Sequence, residues 1–318
     1  MSHRLLPALA FLTACGNPLS NALFLEDAEF LAAIPSAENH SLIFPDSPDG
    51  DPASLLALLP LPGHAADLRA QSAGVAANLN ASLTQLMVLG DYVRVDEPSV
   101  REDDLRSWGP SSLENGTRAL LLVDIVRSGV GQYDWAFMAS ESSAGPWEPF
   151  YQGTHYSGAT VAQGDGEFEA DIGALAQALG EEREGWVSAQ YDLREGTRLQ
   201  LDLREFRESA EDQPLNAHYL YQETSTGGAD FQYGIEADVS GEDLQERVAV
   251  RTRWKASTAM RADSRMFGGD MGSQELTISQ CWDDQGALVF QEDSWGLLEP
   301  VGSESDCAYA KPLFAEDW

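Results

Sequence analysis

The chain has 318 residues, with 52 Asp and Glu against 19 Lys and Arg, for a formal net charge of −33. So acidic a surface repels nucleic acid and anionic lipid headgroups, which argues against both as electrostatic partners. Hydrophobic residues make up 43% of the chain, enough for a sizeable core. The basic residues are nearly all Arg; Lys255 and Lys311 are the lysines. Because the acids are spread along the whole chain, they point to a surface adapted to a salty exterior, where ions screen self-repulsion. A calcium-loaded surface is the alternative.

The N-terminus carries Arg4 and then an apolar run, Leu5 to Leu12, of about eight residues, far short of a bilayer-spanning helix. It ends in small residues, the layout of a secretory signal. Leu12-Thr13-Ala14-Cys15 follows and resembles the cleavage signal of bacterial lipoproteins. That resemblance implies removal of residues 1–14, with lipid on the thiol and amine of Cys15 and residues 15–20 as the tether. Several acyl chains together hold a protein firmly at a membrane. Gly16, in place of an Asp retention signal, implies the outer membrane, facing the periplasm or the cell surface. An ordinary secretory peptide, or a short core helix that happens to carry Cys15, is the competing interpretation. No other stretch reads as a transmembrane helix. With Cys15 consumed by lipid, Cys281 and Cys307 remain as an even pair in an oxidising compartment, and a disulfide is expected.

Residues 21–318 read as a single α+β domain, helical over about 21–100 and β over about 117–318. "NALFLEDAEFLAAI" predicts a first helix stopped by Pro35, and Asp51-Pro52 opens a short one through Leu59. A long helix is expected from Ala65 to Leu89, with the stripe Leu68, Ser72, Val75, Leu79, Leu83 and Leu86 buried. "REDDLRSWGPSSLENG" (101–116) is the best hinge, or a surface connection within one domain. Beyond it the period changes to two. Leu199, Leu201 and Leu203 share a face, as do Phe231, Tyr233 and Ile235, and Val248, Val250, Thr252 and Trp254. This is the signature of a half-buried antiparallel sheet, of about 11 or 12 strands. Near Glu195-Gly196, matching Leu193 with Leu199 requires an odd loop of about three or five residues. "FEADIGALAQALGEE" reads as a strand running into a short helix, Ile172 to Leu179.

No catalytic motif stands out: there is no G-x-S-x-G, P-loop, S-x-x-K or H-E-x-x-H. His40, His64, His155 and His218 lack metal-ligand spacing, so structural roles are expected. "GDGEFEAD" carries Asp165, Glu167, Glu169 and Asp171 at alternate positions facing outward. They form a solvated strand face, or a carboxylate pair for glycoside hydrolysis. Asp46, Asp49 and Asp51 around Gly50 are the best cation candidate, possible calcium ligands, although Asx turns before a helix also explain them.

Tyr133, Trp135 and Phe137 share one strand face, and Trp186 is among the aromatics that follow. Most are expected in the core, with a minority lining a cavity if the sheet curves beyond its helices. A lipid anchor, one large curved antiparallel sheet and covering N-terminal helices resemble in layout the LolA/LolB-like carriers of the bacterial envelope, and that likeness implies an apolar ligand or lipid under the sheet. The expected function is therefore a non-enzymatic envelope lipoprotein binding an apolar ligand, with Tyr133, Trp135, Phe137 and Trp186 as ligand-binding residues, or binding an envelope protein. A packed interaction module and a hydrolase built from scattered acids are the alternatives. A transmembrane barrel fits the strand length, but the helical N-terminal third and the lipid anchor oppose it.

Overall fold

A computed structural model describes residues 18–45, 67–94, 96–112, 119–207, 209, 211–238, 244–256, 259–312 and 314. Cys15, Asp46, Asp49, Asp51 and the expected helix at 51–59 lie outside the described residues. Among the described residues three helices come first: α1 (Pro18–Ala32), the single turn α2 (Ala37–His40) and α3 (Leu68–Arg94). The strands then follow as β1 (Val100–Arg101), β2 (Leu105–Ser112), β3 (Leu120–Gly129), β4 (Gln132–Ser140), β5 (Glu148–Tyr156) and β6 (Asp165–Asp171). After α4 (Ile172–Leu179) come β7 (Glu184–Asp192), β8 (Arg198–Arg207), β9 (Leu215–Glu223), β10 (Ala229–Ala237) and β11 (Glu246–Trp254). The last are β12 (Met260–Gly268), β13 (Glu275–Trp282), β14 (Leu288–Asp293) and β15 (Val301–Gly302).

All 15 strands pair antiparallel in chain order, and the sheet stays open because β1 and β15 are its two edges. The excess over the expected count comes from the two-residue edge strands and from β2, which was expected as a hinge. Gly109 and Pro110 punctuate that stretch without ending it. A register shift between Trp108 and Ser111 absorbs them, and β1 pairs only with Arg106 and Ser107, so Pro110 has no ladder partner to lose on that side. Gly109 has φ +96, and a Cβ there would come within 2.4 Å of Leu121 O.

Alternation gives the sheet two unlike faces. The inner face carries Tyr133, Trp135, Phe137, Tyr151, Phe168, Leu199, Leu201, Phe231, Tyr233 and Val250, each no more than 3% exposed. Helix α3 lies on this face, and all six residues of its expected stripe are buried. Its Ser72 hydroxyl meets Thr252 Oγ1 at 2.7 Å, and Leu68 N donates to Gln280 Oε1 at 2.9 Å. Asp67 caps its first turn, accepting from Ala70 N. The helix ends at Arg94 and not at Leu89, because Gly90 is no terminator. A Cβ there would sit 3.2 Å from Ile34 Cγ2, so the glycine permits close approach of the segment after α1.

Helix α1 is fastened through charge. Arg106, 2% exposed, donates to Asp27 at 2.7 Å, reaches Glu26 at 2.9 Å and lies over the Phe30 ring. Helix α4 spans the residues expected of it: Asp171 caps it by accepting from Ala174 N, and Gly180 ends it in the left-handed region.

The β7–β8 turn has an odd loop of five residues between Asp192 and Arg198, as the parity argument required. The pair across it is Tyr191 with Leu199, so Leu193 belongs to the loop and not to the strand.

Cys281 and Cys307 are bonded, with Cα atoms 5.4 Å apart. This ties the C-terminal segment across the outer face of β11–β13. There Arg261, fully buried, pairs with Asp263 at 2.9 Å and Glu304 at 2.9 Å and donates to Tyr309 O at 3.1 Å. Arg253 donates to Ala310 O at 2.6 Å and stacks on the Tyr309 ring.

Candidate functional site

The four aromatics expected around a ligand are divided between the two faces. Tyr133, Trp135 and Phe137 are buried on the inner face, in an aromatic cluster with Phe30, Tyr151 and Phe168. Trp186 is 49% exposed and lies on the outer face with Ser188 and Gln190. The inner rings are bedded on strand glycines: a Cβ at Gly153 would come within 2.6 Å of Trp135 Cζ2, and one at Gly166 within 2.6 Å of the Tyr191 hydroxyl. Polar atoms on the inner side, among them Trp135 Nε1, Tyr151 OH, Tyr219 OH and His40 Nε2, are buried without a hydrogen-bond partner among the described residues. Burial pushes both tyrosine hydroxyls well above their usual range. His155 Nε2–H donates to Val161 O, so Nδ1 of the neutral ring accepts from the Tyr191 hydroxyl at 2.9 Å, and burial lowers its pKa.

The outer face over β3–β8 holds an open groove of about 660 Å³. Register brings its lining together from six strands. Glu169 of β6 faces Gln152 on one side and Ser188 on the other, and Ser188 faces Asp202. Glu167 faces Thr154 and Gln190 in the next row. Each of these strands alternates, so one set of side chains fills the core while the other builds this surface. Several carboxylates are held by neutral donors: Gln152 Nε2 donates to Glu169 at 2.6 Å, and Thr154 Oγ1 to Asp134 at 2.8 Å. Asp202 meets His218 Nδ1 at 2.5 Å. A second hollow, of about 410 Å³, continues the first past Glu167 and Gln190 towards Tyr156, which is 44% exposed.

Of the acids singled out in the sequence, Asp165, Glu167, Glu169 and Asp171 form one outward row of β6, and Glu167 and Glu169 enter the larger groove. Among the described residues no group of three or more His, Cys, Asp or Glu is placed to hold a metal ion. No helix of the described chain is long and apolar enough to cross a membrane. Comparison with protein families, with curated proteins and with solved structures returned no match for this chain.

Proposed function

We propose that this chain is a lipid-anchored binding protein of the bacterial cell envelope, held through Cys15, that takes its ligand in the groove on the outer face of β3–β8. The observation that carries this is the division of labour between the faces. The inner aromatics are packed against helices and one another, whereas the outer groove of about 660 Å³ gathers polar side chains from six strands. The lining offers polar side chains from neighbouring strands on one open, concave surface, and binding is the activity this reading assigns to it. The test is co-sedimentation of a Cys15→Ser chain, which cannot be lipidated, with insoluble envelope material. Ser188→Arg with Gln190→Arg fills the groove with solvent-facing side chains and should leave the melting temperature unchanged while abolishing retention. Equal retention of the filled and unfilled proteins refutes the proposal.

A second proposal, an acyl-bearing ligand beneath the sheet, is favoured by the Trp135, Tyr151, Tyr219 and His40 atoms on the inner side that have no partner among the described residues. Buried polar atoms without partners cost about 1–3 kcal/mol each, which a ligand headgroup or water would recover. Native mass spectrometry of the protein purified from a bacterial periplasm tests it. An adduct of lipid mass, lost on organic extraction, supports this second site, and a clean apo mass removes it.

A further inference from the structure

The outer groove has a definite chemistry, and we infer that its ligand is a neutral glycan chain lying along the sheet between Trp186 and Tyr156. This inference rests on the proposal that the groove is the binding surface. The lining is acidic, with Asp124, Asp134, Glu167, Glu169 and Asp202 against Arg204, so anionic chains are repelled. The carboxylates do not form a cation cage: no metal-holding group exists among the described residues, and Gln152, Thr154 and His218 already hold three of them in place. What remains is a row of fixed acceptors and amide groups, each with a free lone pair or N–H, which suits the dense alternating donors and acceptors of sugar hydroxyls.

Two exposed aromatic rings share the outer face with this row, Trp186 49% exposed and Tyr156 44% exposed. Such rings offer flat apolar platforms with a polar edge, which fit the C–H faces of sugar rings. Their separation follows from the register. Trp186 and Asp192 lie six residues apart on the outward row of β7, and Asp192 faces Asp165, which faces Tyr156 two strands away. At ~3.4 Å per residue and ~4.8 Å per strand, the rings stand about 22 Å apart. A chain of several sugars, and not a monosaccharide, is needed to touch both.

The experiment is calorimetric titration of the full chain with neutral β-1,4-linked glucose and N-acetylglucosamine tetramers, with an oligogalacturonate as the anionic counterpart. The expected result is binding of a neutral tetramer and none of the anionic one. Trp186→Ala and Tyr156→Ala should each weaken binding about tenfold, the loss of one stacking contact. Trp295→Ala, an equally exposed ring (47% exposed) that follows β14 near the other edge of the sheet, should change nothing. All three rings are half-exposed, so unchanged melting temperatures verify folding. The inference is overturned if neither neutral tetramer binds or if Trp295→Ala weakens binding as much as Trp186→Ala. If no saccharide binds while the groove-filling pair still abolishes envelope retention, the glycan class is wrong and the groove stands. If retention is also indifferent to the filled groove, both proposals fall together.

Discussion

His40 makes the fold sensitive to acid in a way that can be isolated. It is 3% exposed; its Nδ1–H donates to Ser36 O at 2.9 Å, and its ring meets Tyr191 edge-on at 4.5 Å. Burial chiefly, with His155 and Arg94 nearby adding positive charge against the Ser36 carbonyl, brings its pKa down from 6.5 to about 4. The unfolded chain therefore binds a proton near pH 6.5 that the folded protein refuses until about pH 4. Above pH 6.5 both states are neutral and His40 contributes nothing to the pH dependence. As pH falls through that window, stability is lost, on the order of 2–3 kcal/mol between pH 7 and pH 4.5. His40→Asn retains a donor for Ser36 O and cannot titrate. Urea unfolding of both proteins at pH 7 and pH 4.5 gives the difference of differences. The easing of repulsion among the surface acids affects both proteins alike and cancels. The asparagine variant should lose on the order of 2–3 kcal/mol less on acidification. Parallel losses in the two proteins would refute the assignment of a buried neutral His40.

Phe137→Ala removes a ring with no exposure from the inner cluster and should cost about 3–5 kcal/mol in denaturant unfolding, with groove-dependent retention unchanged. Cys307→Ser opens a cross-link of sequence separation 26 and should cost roughly 3.5 kcal/mol on the chain-entropy model, read as a shift in the urea midpoint. The same variant should raise hydrogen exchange in the C-terminal segment that Arg253 and Arg261 hold. Asp263→Ala takes from buried Arg261 the carboxylate that holds its Nε and Nη2 and leaves it half-exposed Glu304 on Nη1. It should cost about 3–5 kcal/mol, whereas exposed Glu292→Ala should cost no more than about 0.5 kcal/mol in the same unfolding assay.

The sequence made the elements with clean local signals legible. Helix α4 carries its own cap residues, Asp171 and Gly180, and its expected bounds agree with the structure. The two-residue period of β8, β10 and β11 placed their buried sides correctly, since one face of each strand is apolar. Where glycine and proline serve packing instead of termination, local reasoning misled. Gly90 accommodates Ile34 inside α3, and Gly109-Pro110 passes through a register shift inside β2. Leu193 looked like a strand residue because it is apolar, but the ladder closes with the pair Asp192 and Arg198.

The groove was far less legible, because it exists only where six strands stand side by side. Glu169, Gln152, Ser188 and Asp202 are neighbours through register, and nothing local to any one of them announces the others. One signal was available. Trp186 has the parity of Ser188 and Gln190 and the opposite parity to buried Val187, Ala189 and Tyr191, which sets it on the polar face. Grouping it with Tyr133, Trp135 and Phe137 by residue type alone obscured that. The inner glycines Gly153 and Gly166 likewise look like strand weaknesses until the rings above them are seen.

The central claim is that ligand meets the outer face, and carboxyl footprinting of the Cys15→Ser chain with and without insoluble envelope material tests it most directly. The account predicts protection of Glu167, Glu169 and Asp202, with Glu292 and Glu299 beyond the groove labelled as before. Unchanged labelling of Glu167, Glu169 and Asp202 when envelope material is bound would contradict it.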